Sequence, residues 1–278
     1  MNKPINPPKY KLDFDANYGN AVTLLDAPLV RRITAQNASP YTFKGTNTYL
    51  VGTAMVCVID PGPNDPAHLR LICDTVEQGG GVISHILLTH THIDHTAGVA
   101  ELKRMTGAKT FGFGRHAQPS VGGDMSFVPD VLIEDGDELS GNDWALTAHH
   151  TPGHCHTHLC FSLSGTDILF SGDHVMGWSS SVIFLPDGDL GAYLNSLDKL
   201  ETLQQNTYLP GHGDLITDGK DMAIAQKHHR LGRDAQYKAL VEQGADLDAI
   251  VAAVYPNLNP ALLGAARSTI EAHLEQGD

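Results

Sequence analysis

The chain has 278 residues, a net charge of −14, and sixteen histidines against only 18 lysines and arginines. Its ordinary apolar fraction excludes a disordered or collagenous chain, and no apolar run is long enough to span a bilayer. The negative charge argues against a polyanionic partner, because phosphate neutralisation supplies most non-specific nucleic-acid affinity. The histidine load points instead to metal.

Residues 1–20 read as an extended, Pro- and Asn-rich lead-in without the apolar core of a secretory signal. Cys57, Cys73, Cys155 and Cys160 are too few and too scattered for a disulfide framework. Together these features predict a cytoplasmic protein with reduced thiols. Thr48–Val51 and Met55–Ile59 flank Gly52 as a hairpin, closed by the turn Asp60-Pro61-Gly62-Pro63. Pro66–Glu77 reads as a helix stopped by three glycines. His85–Leu88 is a buried-type strand that runs into His90-Thr91-His92-Ile93-Asp94-His95. A helix over Thr96–Met105 and a strand over Lys109–Gly112 follow. Next come β-rich runs at Val131–Glu134, Trp144–His149, His158–Leu163 and Asp167–Phe170. Gly188–Leu203 is helical, with Leu190, Tyr193, Leu194, Leu197 and Leu200 on one face, and Thr207–Leu209 is a last short strand.

After Thr217 the texture changes to three helical segments without a strand. The middle one carries Leu247, Ile250, Val251, Val254 and Tyr255 on one stripe, with Asp246 as N-cap. The last places Leu262, Leu263, Ala266, Ile270 and Leu274 together. Residues 1–217 therefore form the main domain. Residues 218–278 form a small helical cap, with a winged-helix-like arrangement allowed, that packs on it.

Four features carry the chemistry: the run His90–His95, His154 in Thr-Pro-Gly-His, Asp173 in Ser-Gly-Asp, and His212 in Pro-Gly-His-Gly. Each follows a β-rich run, where a rigid sheet can aim a loop residue. Residues i and i+2 of an extended segment share a side, so His90 and His92 can share one cation, with His154 completing three imidazoles. Asp94, His95 and His212 would hold a second cation, and Asp173 can bridge the two. This donor set suits zinc, with iron or manganese as alternatives. His174, His228, His229 and His273 read as ordinary surface or half-buried histidines.

These motifs, in this order, resemble the metallo-β-lactamase superfamily over about residues 20–215. Gly45–Val51, the run Pro186–Leu190 and the helical tail look like its lactamase-beta-like hydrolase branch, which includes a mitochondrial endoribonuclease, with glyoxalase II a more distant relative. The resemblance implies an α+β fold, a four-layer αββα sandwich with a dinuclear site at one edge of its two sheets, followed by the small C-terminal helical domain. Cys155, beside His154, departs from the expected pattern and reads as a packing or supporting thiol. His158 reads as orienting His154 or Asp173. Only 38 residues separate Asp173 from His212, too few for a large inserted domain.

The expected activity is hydrolysis of an ester, thioester or related acyl bond by a metal-bound hydroxide, with Asp94 and Asp173 as the catalytic carboxylates. Two alternatives stay open. One is an endoribonuclease or phosphodiesterase acting on RNA. The other is an iron-dependent dioxygenase acting on a sulfur compound, which the histidine at position 92 counts against in its diiron form. Asp60, Tyr41, Asn47, Trp178 and Ser179–Ser181 are candidates for the surroundings of the centre or the pocket. Lys220, Lys227, Arg230, Arg233 and Lys238 read as a solvated helix face. A small-molecule substrate is the expected partner, RNA is not excluded, no membrane is expected, and a homodimer is allowed.

Overall fold

In β3 (Asn47–Val51) and β4 (Met55–Ile59), alternate residues face opposite ways, and both faces are buried. Such strands need a covering layer on each side. The computed structural model describes residues 8–12, 17–114 and 116–275. Of the lead-in expected over residues 1–20, residues 1–7 and 13–16 lie outside the described residues.

One sheet has the order β1 (Val22–Asp26), β2 (Leu29–Thr34), β3, β4, β5 (Val82–Leu87), β6 (Lys109–Gly112) and β7 (Val131–Leu132). Pairing is antiparallel from β1 to β4 and parallel from β4 to β7. The second sheet contains β8 (Glu138–Ser140), β9 (Ala145–His150), β10 (Leu159–Leu163), β11 (Ile168–Gly172) and β12 (Thr207–Pro210), side by side in chain order. Here only the β11–β12 pair is parallel.

Three apolar clusters make the layers. Tyr49, Val51, Cys57 and Ile59 meet Leu146, Phe161 and Phe170 between the sheets. The opposite-facing Leu50, Val56, Val58 and Ile86 are covered by α1 (Pro66–Gln78) and by α3 (Val99–Thr106), which follows the single turn α2 (Ile93–Thr96). Cys160, Leu169 and Tyr208 on the outer face of the second sheet are covered by α4 (Leu190–Thr202), through Tyr193, Leu197 and Leu200. The result is the αββα sandwich. Asp65 and Asp189 cap α1 and α4 by accepting from Ala67 and Ala192 backbone N–H.

The structure adds β1, β2 and β8 to the elements expected. Arg31 and Arg32 interrupt the apolar pattern of β2, but Arg32 is only 6% exposed and pairs with Asp214 at 2.9 Å. The helix expected from Thr96 starts at Val99, after the separate turn α2.

The tail comprises α5 (Gly219–Glu242), α6 (Leu247–Val254) and α7 (Leu263–Glu275). Among its described residues there is no strand, and so no wing. Asp246 caps α6 as expected. Ile250, Val251 and Ile270 bury against Tyr237, whereas Leu263 is 43% exposed and lies off the expected stripe. Tyr193 Oη donates to Gln226 at 2.7 Å, and Ser268 Oγ accepts from Leu185 N–H at 3.0 Å, joining tail to sandwich. Arg230 is 4% exposed, which corrects the solvated-face reading at that position. His174 and His273 are fully buried rather than at the surface. Among the described residues no helix is long and apolar enough to cross a membrane.

Candidate metal centre

Five loops leave the sheets at one edge. Asp60 follows β4, His90–His95 follow β5, His154 follows β9, Asp173 follows β11 and His212 follows β12. Backbone bonds stitch these loops together: Asp60 N–H to Leu87 O at 2.9 Å, Leu159 N–H to Thr89 O at 2.7 Å, and Gly211 N–H to Gly172 O at 2.8 Å.

The side chains converge in three groups of closely spaced donors: His90, His92 and His154; Asp94, His95 and His212; and His90, His95 and Asp173. Asp173 stands between the first two. Its Oδ2 lies 4.0 Å from His90 Nε2, 3.8 Å from His154 Nε2 and 3.3 Å from His212 Nε2. Its Oδ1 lies 3.6 Å from His95 Nε2.

Four rings turn Nδ1 outward onto a fixed acceptor. His154 Nδ1 donates to Val182 O at 2.6 Å, His212 Nδ1 to Gly45 O at 3.3 Å and His95 Nδ1 to Asp60 Oδ2 at 3.0 Å. His90 Nδ1 lies 3.0 Å from Thr89 Oγ1, whose own proton goes to Asp60 Oδ2 at 2.7 Å. With the tautomer set this way, each Nε2 points inward as a lone-pair donor. His95 Nε2 and Asp173 Oδ1 are buried with no hydrogen-bond partner. Buried polar atoms are rarely left so. Two such donors at this spacing suit a shared cation with bonds of about 2.0–2.2 Å.

The charge pattern divides the cluster. Burial, with the neighbouring imidazoles, holds His90 well below its ordinary pKa, lowers His92 to about 3 and lowers His154. Held below their ordinary values, these three rings could serve as neutral donors. Burial would lower His95 and His212 as well, but the carboxylates outweigh it. Asp94, Asp173 and Asp60 hold His95 well above its ordinary value, while Asp173 and Asp94 raise His212 to about 10. Burial alone would raise Asp94 and Asp173, yet His95 and His212 hold both below the usual carboxylate range. A divalent cation here would take over the role of the two imidazolium protons. Asp94 is the member that reaches solvent, its side chain being 27% exposed.

The supporting residues explain the motifs. Asp60, at φ +52°, bonds Thr89 N–H with Oδ1 at 2.8 Å and holds both Thr89 and His95 with Oδ2. His158 accepts from Asp173 N–H at 3.1 Å, so it touches the Asp173 backbone, while its Nδ1 lies 2.9 Å from Thr151 Oγ1. A Cβ on Gly211 would press on Asp173 Oδ1 and lie 2.8 Å from His95 Cε1, so only glycine lets the loop pass. Gly172, at φ +49°, is likewise closed off by His158 and Thr89. Asn47, expected at the pocket, is fully buried and donates to Pro210 O at 3.0 Å and Gly213 O at 2.8 Å, fixing the His212 loop. Cys155 is buried, 3.7 Å from Thr157 Oγ1, and burial pushes its thiol up.

Tyr41, Trp178 and Ser179–Ser181 line one cavity together with Val182, whose carbonyl holds His154. Trp178 stacks on Phe43 at 5.1 Å. Sequence reasoning missed a chain of contacts from Asp187 through His116 to Thr91. His116 Nδ1 lies 3.0 Å from Asp187 Oδ2, and its Nε2 bonds Thr91 Oγ1, between the two cluster histidines. Nothing local marks His116; only the fold brings it 71 residues back to Asp187.

The sequence profile of the metallo-beta-lactamase superfamily matches residues 41–212. An atrochrysone carboxyl ACP thioesterase of Aspergillus terreus is 33% identical over 223 residues, covering 78% of this chain and 66% of that protein. Another, of Paecilomyces divaricatus, is 38% identical over 208 residues, covering 73% of this chain and 62% of that protein. The match thus spans just under two thirds of the length of these relatives. Among solved structures, a beta-lactamase domain protein of Burkholderia ambifaria superposes with a TM-score of 0.77 at 19% identity, covering 96% of this chain and 90% of that one. That likeness is one of fold.

Proposed function

The chain belongs to the metallo-beta-lactamase superfamily, and from that premise we propose that it is a metal-dependent hydrolase of thioesters. The observation that carries the reading is the convergence of inward-facing donor atoms, four of them on rings aimed by an outward bond, with His95 Nε2 and Asp173 Oδ1 buried and unpartnered among them. His90, His92 and His154 would hold one divalent cation, Asp94, His95 and His212 a second, and Asp173 would bridge them. Two such cations, zinc or alternatively iron or manganese, would supply Lewis acidity to an acyl carbonyl and would lower the pKa of water toward neutrality.

The chain's own residues set the rest. Asp60 fixes the His95 ring, and Val182 O fixes the His154 ring. Asp94, whose Oδ2 lies 3.1 Å from His212 Nε2 and whose side chain is 27% exposed, is the carboxylate of the cluster that incoming substrate would meet first. Asp173, buried and anionic, holds the two halves together. No thiol competes for the nucleophile's role, since burial pushes Cys160 up to about 12 and also raises Cys57, Cys73 and Cys155. Residues 1–217 would be the catalytic unit and 218–278 its cap.

Two thioesterase relatives favour an acyl substrate over a phosphodiester, and the net charge of −14 points the same way. The test is thiol release from acyl-N-acetylcysteamine thioesters. Turnover should disappear on chelation and return with zinc, manganese or iron. No release with any of the three metals, across short, branched and aryl acyl groups, overturns the reading.

A further inference from the structure

Between the loop 176–182 and helices α5 to α7 lies a cavity of about 180 Å³. Its walls are mainly apolar, from Tyr41, Met176, Leu258, Leu262 and Ala266, with Ser179–Ser181 and Thr269 as hydroxyl-bearing members. One charged side chain enters it, Arg230 from α5. Arg230 is 4% exposed. Its bonded partners are the Ser181 carbonyl and the face of the Tyr193 ring, 5.6 Å away, and its Nε has no partner. No carboxylate pairs with it among the described residues. The Trp178 Nε1 donor on the same wall is also buried and unpartnered. A buried guanidinium is costly unless an anion meets it.

The same loop reaches the metal centre. Ser181 Oγ donates to Asp173 O, and Val182 O holds His154. A 150 Å³ cavity is known to hold benzene, so this one has room for a single ring and a small polar group.

We propose that this cavity is the acyl-recognition subsite of the enzyme, taking a one-ring-sized apolar group that ends in a carboxylate, with Arg230 as its counter-ion and Trp178 as a second donor. The assignment of that ligand as part of the substrate rests on the thioesterase reading above; the binding site itself does not. It makes the helical tail a specificity element rather than a mere cover.

Calorimetric titration of the metal-loaded protein with benzoate and with benzamide tests the subsite directly. Benzoate should bind saturably and at least tenfold more tightly than benzamide. Arg230→Gln should remove that preference, and Arg230→Lys should restore part of it. Should Arg230→Gln fail to fold, Ala266→Leu fills the cavity while leaving the guanidinium in place, and it should block benzoate equally. Equal affinity for the two probes overturns the proposal. So does benzoate binding that survives both substitutions, which would put the anion on the metals instead. In turnover, Arg230→Gln should raise KM at least tenfold for N-acetylcysteamine thioesters whose acyl chain ends in an aryl carboxylate, leaving kcat and the matching aryl amide unchanged. If no thioester is turned over at all, the function proposed above falls, while the calorimetry still decides the subsite.

Discussion

Two regions of this molecule bury histidine, and they do so in opposite ways. At the sheet edge, four rings anchor Nδ1 on an outside acceptor and turn Nε2 toward carboxylates. In the tail, His273 is as deeply buried, yet both its ring nitrogens lack a hydrogen-bond partner. It packs on Tyr237, with Arg230, Arg233, Lys238 and His229 near it and Asp234 Oδ1 3.6 Å away. Burial alone therefore does not mark a ligand. An outward bond that fixes the tautomer, combined with an inward convergence on anions, sets these four sheet-edge rings apart.

The contrast breaks most sharply on alanine. His92→Ala or His154→Ala should cost three to four decades in kcat/KM, about 4–5 kcal/mol of transition-state stabilisation. His273→Ala should leave kcat/KM within about twofold and instead lower the urea midpoint, as loss of a buried ring does. A large activity loss in His273→Ala would erase the distinction. Asp173→Ala should remove both ions from the protein, measured by elemental analysis, whereas retention of one full equivalent would show that Asp173 serves a single site. Asp60→Asn keeps a side chain that tolerates the left-handed backbone but loses the carboxylate that holds His95. Such outer partners are worth about 10–100-fold in metal affinity, and competition with a chromogenic chelator would read it.

The smallest effect belongs to the tail and to pH. Burial, reinforced by Arg230 and its basic neighbours, lowers His273 to about 3. The unfolded chain therefore takes up this proton first, below pH 6.5. Stability from this group is complete above pH 6.5 and is lost as pH falls toward 3, by about 2 kcal/mol at pH 5. Urea midpoints at pH 5 and 7.5 should converge in His273→Gln. An unchanged pH dependence would show that the ring is solvated in the folded state.

How much of this was legible follows the range of the interactions. β4 at Met55–Ile59 and β6 at Lys109–Gly112 lie where the residue pattern put them, because apolar periodicity is local. β2 was hidden because Arg32 is met by Asp214, 182 residues away in sequence. The grouping of the cluster into His90, His92 and His154 and into Asp94, His95 and His212 was readable from i, i+2 spacing and from strand ends. The role of Asp60 was not readable from its turn, since nothing local reveals that its carboxylate reaches Thr89 and His95. Arg230 looked like a solvated helix charge for the same reason. Its partner, the Ser181 carbonyl, lies 49 residues upstream and on another element.

The bond from Gly211 N–H to Gly172 O ties the loop bearing His212 to the loop bearing Asp173. It continues the parallel pairing of β11 with β12, two strands separated in sequence by α4. Parallel, non-local pairing is among the slower events in folding, because loop closure precedes any reward. The cluster thus draws on residues 90 to 212, and its last member follows an edge strand. During synthesis the proposed second site, with Asp94, His95 and His212, cannot be complete until β12 has emerged and docked, so capture of a cation there would be a late step. A cation held there would favour the docked state of that edge strand by mass action.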